Sequence, residues 1–368
     1  MMSAFVTVVM SLVGLVKKNS QIVAVCLLIL LWILMGFNTK NADYTFYELY
    51  YELRVIDVFG LNIGYVFTEQ IAWLFGLDFM QYRCLFGAVA LALLYAFVRR
   101  YTDYTAAVLS LYLLMPFFYD VVQFKFFLAA AVAIYAMHFL IDGKRYWVAK
   151  AAIGIAVASS IHPAALLFCF FGVGKMQRDT AAIVSIVAMV ILLFLVYSGI
   201  AQGLFIQQVD SVKAALYFSK LGRFGFIPYL ISVVFIVAMV YLMSNEIEKN
   251  ETASGIMRDA GESQTATIRQ KNEYLVFFES AVFALLPLSA FMILSLQDFY
   301  RPIRSALILF YIFFVIVQTE KKSALSRQTR VIIQISFFLW FAFTFFFVIV
   351  NVWDLVVITE LNNNLVFR

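Results

Sequence analysis

The chain reads as an all-α, polytopic integral membrane bundle, and three observations predict it. Hydrophobic residues make up 64% of the sequence and charged ones 13%, and mean hydropathy is +0.92, which excludes an ordinary soluble globular domain. Apolar runs of roughly 16–24 residues alternate with short charged loops, the length a helix needs to cross a bilayer. These runs lack the period-two alternation of a membrane barrel, and closed barrels and helices are the structures that satisfy backbone polar groups in lipid. Ordering the runs by the positive-inside rule gives about 11–13 membrane helices in one membrane domain, 1–368, with both termini outside.

The elements follow from the N-terminus. Met1 to Val16, closed by Lys17 and Lys18, runs inward, and Gln21 to Phe37 crosses out. Residues 38–80 form an external segment in which Ile63 to Leu77 is apolar enough for an interfacial or re-entrant helix. Cys84 to Val98 delivers Arg99 and Arg100 to the cytoplasm, Tyr104 to Tyr119 goes out, and Phe124 to Ile141 returns. Residues 146–174 are bracketed by Lys144, Arg145 and Lys150 on one side and Lys175 and Arg178 on the other, so the segment must go in and come back. A short helical hairpin fits, Tyr146 to Ser160 and Ala164 to Gly174, broken at His162 and Pro163 because proline removes a donor and disfavours helix before it. Ala181 to Gly199, an external segment at 200–223, and Phe224 to Met243 come next. Residues 244–272 read as a flexible cytoplasmic loop, and Tyr274 to Leu296, Ile303 to Val317 and Val331 to Trp353 complete the spans.

Several function classes drop out. The net charge of +5 reflects cytoplasmic loops rather than nucleic-acid binding. Cys26, Cys84 and Cys169 lie in apolar runs without metal spacing, no His and carboxylate cluster has ligand spacing, and no nucleotide-binding glycine motif occurs, so no metal and no cofactor are expected.

Candidate site residues are those that break the topology rule. Lys125, Lys220, Arg223, Arg301 and Arg304 abut the outer ends of spans, where they either reach lipid headgroups or external acids or serve a substrate. Arg301 and Arg304 share a face three residues apart, and with Pro302 in a first helical turn they would present two guanidinium forks at a helix N-terminus, which suits a phosphate or diphosphate. His162 carries Ser159 and Ser160 before it; it is either a turn residue or a proton-transfer group. Asp43, Tyr44, Tyr47 and Glu48 follow the second span directly, and interleaved rings and carboxylates read equally as an interfacial aromatic belt or a saccharide-binding surface. Glu279 is an acid inside a span that needs a partner or a water path.

The order Asp43-Tyr44-x-x-Tyr47, Asn62-Ile-Gly64-Tyr65, Lys125-x-x-Leu-Ala129 and Ser160-Ile-His162-Pro-Ala-Ala resembles the EpsG-like branch of Wzy-type polysaccharide polymerases, over about residues 1 to 320. Two positions depart from the pattern: Lys125 replaces an arginine, and Asn62 stands where an acid commonly precedes the Gly-Tyr. The resemblance implies a fold like the GT-C membrane glycosyltransferases. It also implies an exopolysaccharide or capsule polymerase of the bacterial cytoplasmic membrane, its active site facing outside. Such an enzyme, without metal, moves a growing chain from undecaprenyl diphosphate onto a sugar hydroxyl of the next lipid-linked repeat. The implied partners are the lipid-linked donor and acceptor, membrane lipids, a chain-length regulator and a flippase, with no nucleic acid. In that reading His162, or else Asp43, is catalytic; Arg301, Arg304, Arg223 and Lys125 bind diphosphate; and Tyr44, Tyr47, Tyr65 and Glu48 bind saccharide. The competing expectations are a flippase or transporter of lipid-linked oligosaccharide and a related ligase.

Overall fold

The computed structural model describes residues 2–54, 62–198, 200, 226–253, 274–293, 296–350 and 353–367. Among these the molecule is all-α, as its composition predicts. Seven helices are long and apolar enough to cross a membrane, and five shorter apolar helices of 10–17 residues accompany them. The helices gather into two compact units, Met1–Cys169 with Val352–Arg368, and Phe170–Asn351.

The first unit begins with α1 (Met2–Val16) and α2 (Gln21–Gly36), the latter started by Ser20, whose hydroxyl accepts the Val23 N–H. Two short helices follow, α3 (Tyr44–Glu52) and α4 (Ile63–Leu74). The next helix, α5 (Phe79–Tyr101), opens on a reciprocal capping box between Asp78 and Gln81. It starts ahead of the Cys84 that hydropathy picks out and so carries Arg83 inside the helix. Then come α6 (Thr105–Leu114), α7 (Phe117–Val122), α8 (Phe124–Asp142) and α9 (Trp147–Ile161). Small residues set the α8–α9 contact: a Cβ on Gly154 would lie 2.3 Å from the Cβ of Ala136.

The second arm of the expected hairpin is a 3₁₀ helix, Pro163–Lys175, rather than an α-helix. Thirteen residues at the 3₁₀ rise extend about 26 Å, against about 20 Å for an α-helix, so the tighter coil lengthens an arm that looked too short to cross.

The two ends of this unit differ in chemistry. At one end Lys17 and Lys18 lead into α2, the Gln21 amide donates to the Asp103 carbonyl (3.5 Å), and Arg100 is paired with Asp142. At the other, the Ser3 hydroxyl donates to the Leu361 carbonyl (2.6 Å), and an antiparallel bridge joins Asn38 to Asn364 beside Thr39 N–H to Asn363 O (3.0 Å). The C-terminal segment, a π turn at Asp354–Ile358 and a short helix Thr359–Asn362, is thereby stitched to the start of α1 and the end of α2. Arg83 lies fully inside this end. It donates to the Asn38, Met35 and Val121 carbonyls (3.3, 3.1 and 3.4 Å) beneath the rings of Tyr44 and Phe124, 5.0 and 5.4 Å away.

The second unit contains α10 (Arg178–Tyr197), α11 (Ile227–Ala253), α12 (Tyr274–Phe291), α13 (Leu296–Ser305), α14 (Leu307–Thr319) and α15 (Arg327–Thr344). Ser326 caps α15 by accepting the Thr329 N–H. In its interior the Trp340 indole donates to the Ser232 hydroxyl (2.9 Å), which shares a hydrogen with Thr344 (2.8 Å), a polar knot that pins α11 to α15 where lipid supplies no hydrogen bonds. Helix α11 runs ten residues into the stretch expected as a loop, to Ala253.

Candidate functional site

Helices α3, α4, α5 and α8 and the end of α9 bring several predicted residues together in the first unit. Tyr47 on α3 and Tyr65 on α4 approach with ring centroids 6.4 Å apart. The Lys125 ammonium, on the first turn of α8, lies over the Tyr65 ring at 4.6 Å. Helix α4 meets α9 at Gly64, where a Cβ would stand 2.3 Å from the Ser160 hydroxyl and 3.0 Å from its backbone carbonyl carbon. Only glycine allows that approach. One residue past α9, the His162 ring packs edge-on against Phe126, the neighbour of Lys125, at 5.2 Å.

His162 has a defined polarity. Its Nδ1 accepts the backbone N–H of Ala164 at 3.2 Å, so in the neutral ring Nε2 carries the hydrogen and the outward-acting group is a donor.

Asp43 ends the turn before α3, half-buried, with its backbone N–H on the Asn41 side-chain oxygen (3.1 Å). Tyr44 and Tyr65 are buried, their faces occupied by Arg83 and Lys125, whereas Tyr47 and Glu48 are half-buried and Phe46 and Tyr50 are exposed and packed together at 4.3 Å. Burial, with Glu48 close by, pushes the Tyr44 hydroxyl up to about 12.

The structure adds a residue that hydropathy passed over. Glu69, the one acid of α4, is only 5% exposed and is coupled electrostatically to Tyr65 of its own helix, Tyr51 of α3, Tyr82 of α5 and Lys125 of α8. Desolvation lifts its carboxyl to about 7, with the Lys125 charge pulling it back. Its sequence signal was a single acid in an apolar stretch, one helical turn after Tyr65.

Arg301 and Arg304 belong to the second unit. The expected helix start is not where they sit: α13 begins at Leu296 and Pro302 lies inside it, so neither arginine stands on a free helix N-terminus there. Reading Pro302 as a start signal overlooked the polar turn before it, which is already helical. Arg304 is buried at 2% exposure and Arg301 is half-buried; Tyr300 on α13 packs edge-on with Tyr229 on α11 at 4.7 Å. Arg223 lies outside the described residues. Glu279 finds the partner it required: Arg178 Nε lies 3.4 Å from its carboxylate and also reaches Glu248 (3.1 Å) and Asp179 (3.2 Å).

Compared with known proteins, the sequence model of the EpsG family matches residues 21–357, nearly the whole chain. No curated protein and no solved structure matches it.

Proposed function

The chain belongs to the EpsG family of polysaccharide-polymerase-type membrane proteins, and from that premise we propose that it lengthens a glycan on a lipid carrier. The growing chain leaves undecaprenyl diphosphate and is joined to a sugar hydroxyl of the next lipid-linked repeat, at the outer face of the bacterial cytoplasmic membrane. The observation that supports this best is the grouping of Lys125, Tyr47, Tyr65 and His162 at the end of the first unit opposite its basic end. By the positive-inside rule the basic end faces the cytoplasm and the grouped residues face outward, where flipped lipid-linked sugars are.

In this mechanism negative charge grows on the diphosphate as its bond to the anomeric carbon breaks, so cations aimed at its oxygens favour the transition state over the bound donor. Lys125 supplies one in the first unit. The Nε2–H of His162 donates to an oxygen of the leaving group or of a sugar. Tyr47 and Glu48 offer a ring face and a carboxylate to the acceptor sugar, with Asp43 at the rim.

The test is a purified protein supplied with a defined undecaprenyl-diphosphate oligosaccharide. A ladder of longer lipid-linked glycans is the expected product. Movement of the substrate across vesicles with no lengthening would establish a flippase instead, and transfer only to a non-repeat acceptor would establish a ligase.

A further inference from the structure

The proposed transfer needs a group to receive a proton, and Glu69 is an acid buried at 5% exposure on the helix that carries Tyr65, the ring beneath the Lys125 ammonium. It is drawn from a helix that glycine docks hard against α9, within one turn of the ring on which Lys125 rests. The groups whose fields act on it are tyrosine hydroxyls and one amine. Tyr51 comes from α3, Tyr65 from α4 itself, Tyr82 from α5, and Lys125 from α8. Two of these hydroxyls are directed elsewhere: Tyr51 donates to the Leu77 carbonyl (2.7 Å), and Tyr82 shares a hydrogen with Thr68 (2.9 Å). Glu69 is thus buried without a guanidinium ion pair of the kind Arg178 makes with Glu279, an arrangement that costs stability in the ionised form.

We propose that Glu69 is the proton acceptor of the glycan transfer, with Lys125 beside it tuning its basicity; this rests on the polymerase reading above. The acceptor hydroxyl oxygen bonds to the donor's anomeric carbon as the carbon–oxygen bond to diphosphate breaks. The electron pair of that bond departs on the lipid diphosphate. The hydroxyl proton passes to the Glu69 carboxylate and then to water. His162 is excluded from this task by its donor polarity, since Nδ1 is taken by the Ala164 N–H. A carboxyl lifted to about 7 is matched to such work near neutral pH.

The experiment compares wild type, Glu69→Gln, Asp43→Asn and His162→Ala as full-length protein with an undecaprenyl-diphosphate oligosaccharide, across pH 5.5 to 8.5. Wild-type kcat should rise with pH and level off above about 7. Glu69→Gln should lose roughly 100-fold or more in kcat at pH 8, with KM within about threefold, and its residual rate should be flat with pH. Misfolding is separately read: a carboxyl raised by the fold contributes stability present at low pH and lost as pH rises through its folded value, so the neutral glutamine should melt no lower than wild type at pH 8. A Glu69→Gln protein that polymerises within about threefold of wild type overturns the proposal, as does a rise of kcat with pH that survives in Glu69→Gln but vanishes in Asp43→Asn or His162→Ala. Wild type that makes no polymer overturns the polymerase reading and the proton role with it, an outcome distinct from an active wild type with an active variant.

Discussion

Glu69 in the first unit and Glu279 in the second are both carboxylates carried into apolar helices, 5% and 8% exposed. Their surroundings separate them. Glu279 meets Arg178 at 3.4 Å, and that guanidinium is itself shared with Glu248 and Asp179 and capped by the Tyr241 ring at 5.1 Å. Such a site ties α10, α11 and α12 together through one guanidinium. Glu69 has tyrosine rings on three helices and the field of one amine. That site leaves the carboxyl near the point where it gains and loses its proton at neutral pH. Burial alone therefore does not assign a role to an acid; the geometry of its nearest cation does.

The comparison can be broken by removing the clamp. Arg178→Ala should give Glu279 the uncompensated burial it now avoids, costing about 3–5 kcal/mol of stability, measured by thermal unfolding in detergent. Adding Glu279→Gln to that variant should return most of the loss, because the buried charge goes with its partner. Next in size is the docking of α4. Gly64→Ala forces a methyl to 3.0 Å from the Ser160 backbone and should cost about 1–3 kcal/mol, lowering polymer yield as Tyr65 and Glu69 shift with the helix. The comparison is sharpened by Lys125→Met. Lys125 holds the Glu69 carboxyl down, so its loss should move the rise of the rate profile to higher pH, read from kcat against pH. The smallest effect is Glu279→Gln alone, about 1 kcal/mol in the same unfolding assay, since Arg178 keeps Asp179 and Glu248.

How far the sequence could be read depended on the kind of signal. Hydropathy found the apolar helical runs, because a run of apolar side chains marks itself in composition. It stopped α5 at Cys84, since an arginine next in line looks like a loop residue; the structure continues the helix to Phe79 and satisfies Arg83 with three carbonyls and a cage of rings. Residues 164–174 were read as an α-helical arm because periodicity cannot separate α from 3₁₀ over so short a run. Among the site residues, Lys125 and His162 were legible as charges or breaks in the wrong place. Tyr44 and Tyr65 were legible as aromatic residues near an interface, but that their faces are spent on Arg83 and Lys125 depends on partners many residues away.

Composition and short-range order were enough to read the all-α membrane class, the order of the apolar helical runs and the family, because each is written locally along the chain. Only packing decided which partner each buried polar residue meets. It set Arg178 against Glu279, laid Lys125 on Tyr65, turned the His162 ring so that Nδ1 is occupied, and left Glu69 among hydroxyls. The physical reason is that the free energy of a buried charge depends on the distance and geometry of its partners, and these partners come from helices that only packing brings together.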